Sequence, residues 1–507
     1  MTPMLIDALR NKALYPHPVR NFRMIETHIS WVLLTGEYAY KIKKPVRFPF
    51  LDFTTLESRK RCCEEELRLN RRLSGDLYCD VVPIFGSVSS PRLDGGGPVI
   101  EYAVRMRQFP QECLLDRLAA AGELTPDLLE ALALVIADFH RQTPAAPPGH
   151  PQCHPEALYA PMQQNFRLIR PWLTDADDLQ RLDRLEVRAG EEYARLQPLL
   201  ARRIAAGCVR ECHGDLHLGN IALIDGRPVP FDCIEFNDAF RLIDIASDAA
   251  FLVMDLQSRG LDGLAERFLN GWRERSGDDG ALAVMRFYQA YRALVRAKVN
   301  VLRLGQQPDE ATRTLILAEY RRYAALAERY GSPPPRFLAI THGVSGSGKS
   351  HVAQQLVDGW QAQRFRSDVE RKRMFGAEEG LYGPDATRRT YERLLALGRE
   401  ALAAGYPAVL DATFLDAAWR QAARRLAEAA GVPFLILDCD PPEAVLRERI
   451  ERRQAAGRDP SDATVDVMLA QRAAREPLTA AEREHAVRIE AEVPADLLAR
   501  VRDLISP

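Results

Sequence analysis

The sequence has little lysine, little net charge and no long apolar run. Only eight of its 68 basic residues are lysine, and the formal net charge is −2. This balance excludes a bulk basic field that would recruit nucleic acid or an anionic membrane surface. No stretch approaches the roughly 20 uninterrupted apolar residues of a membrane-spanning helix. The N-terminal region also lacks a basic segment followed by an apolar run, so we expect no signal peptide.

Cysteine is too sparse and too scattered for a disulfide framework. The nine cysteines among 507 residues are odd in number and include no CxxC pair, which disfavours a closed zinc site. Buried thiols in a reducing cytosol are the simplest interpretation, so we expect a cytoplasmic protein. With 47% hydrophobic and 27% charged residues, the chain has the composition of a globular protein of several folding units.

The pattern of strands and helices divides the chain at Gly331–Pro335, where "GSPPP" follows a long helical region. Before this linker, alternating residues predict hairpin strands and a helix in a small lobe of about 20–108, and helical periodicity predicts a large lobe of about 109–330. After it, strand and helix patterns alternate, which predicts an α/β domain with a parallel sheet over 336–507. We expect the two domains, 1–330 and 336–507, to fold separately.

The stretch "GVSGSGKS" at 343–350 matches the phosphate-binding pattern G-x-x-x-x-G-K-[ST], between a predicted strand and a predicted helix. Glycines allow backbone N–H groups to turn toward phosphate oxygens, and the helix N-terminus adds a positive dipole end. We expect Lys349 to reach the terminal phosphates and the Ser350 hydroxyl to bind Mg²⁺. The predicted nucleotide-binding residues of this loop are Gly343, Ser345, Gly346, Ser347, Gly348, Lys349 and Ser350.

Several residues downstream are candidates for the chemistry of this domain. Asp368 follows the second predicted strand and is placed to accept a proton from an acceptor hydroxyl, and Arg371 is placed to hold acceptor or phosphate. Asp411 ends the third predicted strand, where we expect it to reach Mg²⁺ or the acceptor. Arg449 and Arg453 share one helix face, so they either clamp the transferring phosphoryl group or form a solvated face.

Residues 336–507 resemble the small P-loop kinases, most nearly the polynucleotide 5′-hydroxyl kinases and the zeta-toxin-like sugar-nucleotide kinases, and more loosely the gluconate and shikimate kinases. The resemblance rests on the phosphate loop and on the S-D-x-x-R element that contains Asp368 and Arg371. It implies a domain that binds Mg·ATP and phosphorylates a hydroxyl group. It also makes a nucleic-acid 5′-hydroxyl an acceptor to consider, for this domain only.

A second phosphate-handling motif is "HGDLHLGN" at 213–220. In a protein-kinase-type loop, an aspartate takes or orients the hydroxyl proton of the acceptor, and an asparagine five residues later holds Mg²⁺. Asp215 and Asn220 have this spacing, and Asp232 ends the next predicted hairpin, where a second metal ligand is expected. His213 is expected to brace the loop, and His217 is a further candidate for that role.

The rest of a kinase-type site is predicted upstream. Such a site needs a strand lysine for the α- and β-phosphates and a helix glutamate to hold that lysine. Lys41 in "YAYKIKK" is the first candidate for the lysine, with Lys43 on the same strand face as the alternative. Glu66 is the first candidate for the glutamate, with Glu65 as the alternative. Residues 101–109 are expected to form the hinge that receives adenine.

Residues 20–330 resemble the aminoglycoside phosphotransferase family, whose loop reads H-G-D-x-x-x-x-N and is followed by a metal aspartate on the next hairpin. The resemblance implies an α+β protein-kinase-like two-lobed domain, and it matches Asp244 to an aspartate of the family's next helix, which we interpret as structural. The whole chain resembles two-domain bacterial proteins that fuse such a domain to a P-loop kinase. No G-x-G-x-x-G precedes Lys41, so the turn at 26–30 is expected to cover the phosphates.

Together the motifs predict an ATP-dependent phosphotransferase with two nucleotide sites, each using Mg·ATP and a small hydroxylated acceptor, without a membrane partner. The alternative is a nucleotide-binding sensor or scaffold in which one kinase-like domain is inactive. Phosphate transfer to an acceptor separates the two hypotheses, because a sensor or scaffold binds ATP without turnover.

Overall fold

The computed structural model divides the chain into two compact units. It describes residues 2–376, 383–456, 464–490 and 492–505. The first unit is Met1–Asp255 with Arg292–Tyr320, and the second is Leu256–Tyr291 with Arg321–Pro507. No helix in the described ranges combines the length and the apolar character needed to cross a membrane.

The first unit is built on a curled antiparallel sheet. Its strands are β1 (Arg23–Glu26), β2 (Ser30–Leu34), β3 (Tyr38–Lys43), β4 (Arg47–Phe48), β5 (Leu51–Asp52), β6 (Tyr78–Ser87), β7 (Ser90–Arg92), β8 (Val99–Arg107), β9 (Val209–Glu211), β10 (Ile221–Ile224), β11 (Arg227–Pro230) and β12 (Leu242–Asp244). The main sheet has the order β1-β2-β3-β8-β6-β7, and the smaller pairs are β4-β5, β9-β12 and β10-β11. The turn at 26–30 joins β1 to β2, and the predicted hinge at 101–109 consists mainly of β8. Their contacts with nucleotide stay predictions.

Helices of the described region before residue 260 pack around these strands. They are α1 (Thr2–Ala8), α2 (Leu56–Ser74), α3 (Leu115–Ala121), α4 (Pro126–Gln142), α5 (Pro155–Ile169), α6 (Ala176–Ala205), α7 (Asp238–Arg241) and α8 (Ile245–Ser258). The Thr55 side chain accepts from the Ser58 N–H, so α2 begins at a capped turn. The predicted two-lobed α+β fold is therefore confirmed.

The second unit contains a parallel sheet. Its strands are β13 (Leu338–His342), β14 (Gln363–Arg366), β15 (Ala408–Asp411), β16 (Phe434–Cys439) and β17 (Ala486–Ile489). Among the described residues the sheet order is β14-β15-β13-β16-β17, and every pairing is parallel. The central strand β13 is buried along its whole length, as expected for a strand covered on both faces. The predicted α/β fold is confirmed.

The remaining helices of the described residues follow α8 in the chain. They are α9 (Asp262–Ser276), α10 (Leu282–Leu302), α11 (Glu310–Arg329), α12 (Lys349–Trp360), α13 (Ser367–Phe375), α14 (Pro384–Ala403), α15 (Ala417–Ala429), α16 (Glu443–Ala456), α17 (Val465–Ala474), α18 (Ala480–Arg483) and α19 (Leu497–Ile505). The unit boundaries fall inside α8, α10 and α11.

The compact units do not divide at the predicted linker, because the upstream helix α9 packs on the edge strand β14. Asn270 accepts from the Arg364 backbone N–H (2.8 Å) and donates to the Ala362 carbonyl (3.2 Å). Arg273 donates to the Arg364 carbonyl (2.6 Å). These side chains satisfy backbone groups that another strand would otherwise pair. The predicted domain ranges stay a prediction, but 256–291 packs as part of the second unit.

Candidate active sites

The strand lysine of the first unit lies in a buried charge cluster. Lys41 on β3 donates to Glu66 of α2 (Nζ–Oε1, 2.7 Å) and to Asp232. Burial alone lowers the pKa of Lys41, but Asp232, Glu66 and Glu235 outweigh it and raise that pKa well above its ordinary value. Burial favours neutral Glu66, but Lys41 and Lys43 lower its pKa to about 2. Lys41 and Glu66 are therefore both charged, as a phosphate-binding lysine and its partner require.

The two lysines of β3 occupy different positions. Lys43 donates to the second oxygen of Glu66 (Nζ–Oε2, 2.7 Å) and to Glu235, and it is fully buried. Lys41 instead contacts Asp232, whose side chain is 39% exposed. The geometry therefore favours Lys41 as the lysine that faces the predicted metal site, with Lys43 supporting Glu66 from the interior.

The "HGDLHLGN" loop brings its two predicted functional residues into contact. Asn220 donates through Nδ2 to the Asp215 carboxylate (3.1 Å) and to its backbone carbonyl (3.0 Å). His217 lies 3.4 Å from the same carboxylate (Nε2–Oδ2). Burial opposes ionisation of Asp215, but His217, Arg296 and His213 hold its pKa well below the ordinary range. Asp215 is therefore a charged and weakly basic acceptor, which fits a residue that orients a hydroxyl group until transfer begins.

An aspartate that the sequence motifs did not single out holds this loop in place. Asp248 on α8 accepts from the backbone N–H groups of His213 (3.1 Å) and Gly214 (2.9 Å), and one of its oxygens lies 3.1 Å from the His140 ring. The His213 ring lies 2.8 Å from the Phe231 carbonyl (Nε2–O), so His213 braces the loop as predicted. The loop geometry thus depends on contacts with distant segments of the unit.

Asp244 and Glu65 have structural partners. Both carboxylate oxygens of Asp244 accept from Arg203 at 2.7 Å in a buried pair. Glu65 pairs with Arg68 near the surface (2.7 Å). Asp248 follows Asp244 by about one helical turn in "RLIDIASD", and this repeat is the sequence signal by which Asp248 could have been found.

The oxygen atoms near Asp215 fit a divalent cation. The Phe231 N–H donates to the Asn220 carbonyl (2.9 Å), which places Asp232 next to Asn220. Asn220 uses Nδ2 for its bonds to Asp215, and its Oδ1 accepts no hydrogen bond from the described residues. Carboxylate and amide oxygens are ligands that Mg²⁺ prefers. Asn220 and Asp232 therefore could hold Mg²⁺ in this unit, and their role as its ligands stays a prediction.

The phosphate loop of the second unit lies between β13 and α12. Gly343 has φ 144°, and a side chain there would collide with the Cys439 carbonyl, so this turn requires glycine. Lys349 is the first residue of α12 and donates to the Val344 carbonyl (2.7 Å), which closes the loop onto its ammonium group. The other predicted residues of the loop are Ser345, Gly346 (φ 81°), Ser347, Gly348 (φ 89°) and Ser350, which is exposed in the first turn of α12.

Two side chains from later helices contact this loop. Arg449 on α16 donates to the Ser347 carbonyl (3.3 Å), and Gln471 on α17 accepts from the Ser345 N–H (2.8 Å). Arg449 therefore contacts the phosphate loop, whereas the side chain of Arg453 is outside the described residues. Gln471 was not predicted, because a single polar residue on a helix gives no sequence signal for a contact with a loop 126 positions earlier.

Three other candidates surround the carboxyl edge of the parallel sheet. Asp411 is 4% exposed, and its Oδ2 has no hydrogen-bond partner among the described residues, which makes it a candidate ligand for Mg²⁺. Arg366 of β14 pairs in register with Asp411, and Asp368 follows at the start of α13, so Asp368 lies at the same edge. Arg371 is buried and donates to the Thr387 hydroxyl (3.3 Å).

Comparisons with known proteins bear on both units. Residues 61–288 match the model of the phosphotransferase enzyme family, and residues 338–478 match that of an AAA domain. "Uncharacterized protein Rv2004c" of Mycobacterium tuberculosis is 32% identical over 467 residues, which cover 90% of this chain and 91% of the relative. "Uncharacterized protein Mb2027c" of Mycobacterium bovis matches to the same extent. The chain belongs to their two-domain family. In this chain the two matches join a phosphotransferase-family domain to a P-loop domain, which confirms the resemblance inferred from the motifs.

Solved structures resemble parts of the chain. A choline/ethanolamine kinase family protein from Mesorhizobium loti is 12% identical and covers 64% of this chain and 95% of its own, with a TM-score of 0.40. An aminoglycoside 2′-phosphotransferase-IIIa is 13% identical and covers 65% and 97%, with a TM-score of 0.38. Kti12 of Chaetomium thermophilum is 16% identical and covers 34% and 100%, with a TM-score of 0.29. Because these scores are below 0.5, the family assignment rests on the sequence matches.

Proposed function

We propose that the chain is an ATP-dependent phosphotransferase with two nucleotide sites, one in each unit, and that each transfers the γ-phosphate to a hydroxyl group. The observation that best supports the first site is the buried Lys41–Glu66 pair, which faces Asp232. A strand lysine kept charged by a helix glutamate is the group that a kinase-type site needs for ATP phosphates. The phosphate loop around Lys349 supports the second site.

In the first site, Lys41 binds phosphate oxygens of ATP, and Asn220 and Asp232 hold Mg²⁺, which when bound neutralises phosphate charge. Asp215 accepts a hydrogen bond from the acceptor hydroxyl and orients its oxygen toward the γ-phosphorus. During transfer the new P–O bond forms as the bond between the β- and γ-phosphates breaks. ADP leaves with the electron pair of that bond, and Asp215 receives the hydroxyl proton.

In the second site, the loop at 343–350 binds the phosphates through its N–H groups and Lys349. Ser350 and Asp411 are the proposed ligands of Mg²⁺, and Asp368 is the proposed acceptor of the hydroxyl proton. The two arginines have different proposed roles. Arg449 contacts the loop and would hold the transferring phosphoryl group. Arg371, which is hydrogen-bonded to Thr387 of α14, would position the acceptor or a phosphate. The acceptor is a small hydroxylated molecule or a nucleic-acid 5′-hydroxyl.

The test is phosphate transfer from labelled ATP by the purified full chain to a panel of hydroxylated acceptors. Lys349→Ala silences the second site, and Asp215→Asn is then added to the same chain. We expect the added change to lower transfer by ~10²–10⁴-fold while ATP affinity stays within a few-fold, because it removes the proton acceptor and keeps the shape. Asp225→Asn, in the exposed turn between β10 and β11, is the matched control.

The outcomes separate the hypotheses. Full transfer by the chain that carries Lys349→Ala and Asp215→Asn would contradict the first-site assignment. ATP binding at both sites without transfer to any acceptor would favour the sensor or scaffold. Asp232→Ala should weaken the Mg²⁺-dependent part of nucleotide binding in the first site, and unchanged metal dependence would remove Asp232 from the ligand set.

A further inference from the structure

Helix α10 brings a row of cations to Asp215. Arg292 donates to the Gly214 carbonyl (2.9 Å), directly before Asp215 in the chain. Arg296 and Lys298 follow on the same helix, and Asp215 interacts electrostatically with each of them. The carboxylate that is proposed to meet the acceptor hydroxyl is therefore surrounded by positive groups on this side.

Lys298 is a buried ammonium group that lies against aromatic rings. It is 6% exposed, and its Nζ lies 5.8 Å from the Phe50 ring centroid and 5.7 Å from the Phe240 ring centroid. Within the described part of the chain, no hydrogen bond or ion pair reaches Nζ. Burial, followed by Arg292, lowers the pKa of Lys298 to about 8, although Asp215 raises it. Burying a cation without a paired anion is costly, so this position favours an anion that binds from outside.

A cavity of about 360 Å³ adjoins the Phe50 ring. Its lining includes Arg47 and Arg61, and its one acidic lining residue is Asp52. Asp52 already accepts hydrogen bonds from the N–H (3.0 Å) and the hydroxyl (2.6 Å) of Thr54. The volume is that of a small-molecule site. Arg47 Nε lies 3.5 Å from the other carboxylate oxygen of Asp52, so Arg61 supplies the net positive charge of the lining. The cavity thus offers aromatic surface and one net positive charge.

We infer that the first site takes an anionic acceptor, a small hydroxylated molecule whose carboxylate or phosphate oxyanion binds Lys298 while its hydroxyl faces Asp215. The inference rests on the phosphotransfer proposed for this site. Phe50 and Phe240 pack against the carbon chain of the acceptor. An amine in place of the oxyanion would meet like charge on α10, which disfavours cationic acceptors.

Four probes with the same six-carbon skeleton test the charge preference: gluconate, glucose 6-phosphate, glucose and glucosamine. The full chain is acylated at pH 8 with an amine-reactive reagent, and labelling of Lys298 is compared with that of the exposed Lys60 by peptide mass spectrometry. At concentrations ten times Kd, a bound anion should slow Lys298 labelling about 10-fold and leave Lys60 unchanged. Protection by glucosamine, or by neither anion, overturns the inference.

Kinetics provide a second measurement in the Lys349→Ala background. Lys298→Met should raise KM for the anionic acceptor by on the order of 10- to 100-fold, with a smaller change in kcat, because a charge-assisted bond is lost. Lys298→Arg should recover most of the affinity, and Lys60→Met is the matched control. Thermal unfolding confirms that each variant is folded. An unchanged KM for Lys298→Met contradicts the assignment.

The two proposals fail differently. If an anion protects Lys298 but no phosphate is transferred, the anionic site stands and the phosphotransfer proposal fails. If phosphate is transferred equally to glucosamine and gluconate, with or without Lys298→Met, phosphotransfer stands and the anionic site fails. The gluconate and glucose 6-phosphate arms distinguish a carboxylate from a phosphate ester.

Discussion

The two proposed phosphate sites are assembled in opposite ways. The second unit has most of its proposed phosphate-binding groups in one short loop at 343–350, with Arg449 of α16 added from a later helix. The first unit gathers Lys41, Glu66, Asp215 and Asp232 from separate segments, and the contact between Lys41 and Asp232 joins residues 191 positions apart. A local site forms wherever its strand, loop and helix fold, whereas a dispersed site depends on the packing of a whole unit. Substitutions far from the chemistry should therefore disturb the first site more than the second.

The largest expected effect tests whether the local site needs residues beyond its loop. Asp368→Asn should lower second-site turnover by ~10²–10⁴-fold and leave ATP affinity within a few-fold, because it removes the proposed proton acceptor. Asp385→Asn, at an exposed position of α14, is the control. Loss of ATP affinity with turnover intact would move Asp368 into the nucleotide pocket and make the second site more dispersed than proposed.

The next-largest expected effect tests whether the second unit needs α9, which precedes the predicted linker. Arg273 of α9 donates to Asp279 (2.6 Å) and to the β14 backbone at Arg364 (2.6 Å) from a buried position. Arg273→Met should lower the free energy of unfolding of the second unit by about 3 kcal/mol, because a charge-assisted bond and a strand-edge partner are both lost. Arg275→Met, at an exposed position of α9, is the control. The measurement is unfolding in urea, with nucleotide binding to the second unit as the signal that the unit is folded.

This result also bears on the predicted division at 331–335. A fragment that begins at residue 336 lacks α9, so it should be less stable than the same residues in the full chain. A stable, nucleotide-binding fragment, together with a neutral Arg273→Met, would restore the simple two-domain division that the proline-rich linker suggested.

A smaller effect tests the dispersed site. Asp248→Asn replaces a carboxylate that accepts from two backbone N–H groups of the loop, and an amide can accept through one oxygen only. We expect the first unit to lose about 1–3 kcal/mol of stability and first-site kcat to fall, while second-site transfer is unchanged. Asp225→Asn again serves as the control. An equal loss of transfer activity at both sites would contradict the proposal that the two sites depend on different parts of the chain.

Sequence patterns predicted what is local in this chain. The glycine loop and the alternation that placed Lys41 on a strand both depend on neighbouring residues, so periodicity and motif spacing were sufficient. Asp248 was missed because its partners are backbone groups of a loop that lies far away in the sequence. The packing of α9 was missed for a related reason: helical periodicity shows that one face is buried but does not show which element covers it.

The smallest expected effect concerns a carboxyl group in that α9 contact. Glu266 is 1% exposed and accepts a hydrogen bond from Gln363 Nε2 (3.0 Å). Burial raises the pKa of Glu266 from an ordinary value of 4.5 to about 8. Between these two values the unfolded chain has released the proton that the folded unit keeps. The contribution of Glu266 to the free energy of unfolding is therefore complete below pH 4.5. It is lost as pH rises to about 8, by at most ~1.4 kcal/mol per pH unit.

Glu266→Gln removes this ionisation while keeping the size and the neutral charge of the protonated side chain. Wild type and variant should have similar stability near pH 4.5, and the variant should become the more stable one as pH approaches 8. Urea unfolding of the full chain at several pH values, followed by nucleotide binding to the second unit, measures the difference. The exposed Glu428→Gln should follow wild type at every pH. Parallel curves for wild type and Glu266→Gln would mean that Glu266 is ionised in the folded unit, and that α9 holds the edge of the sheet with a charge there.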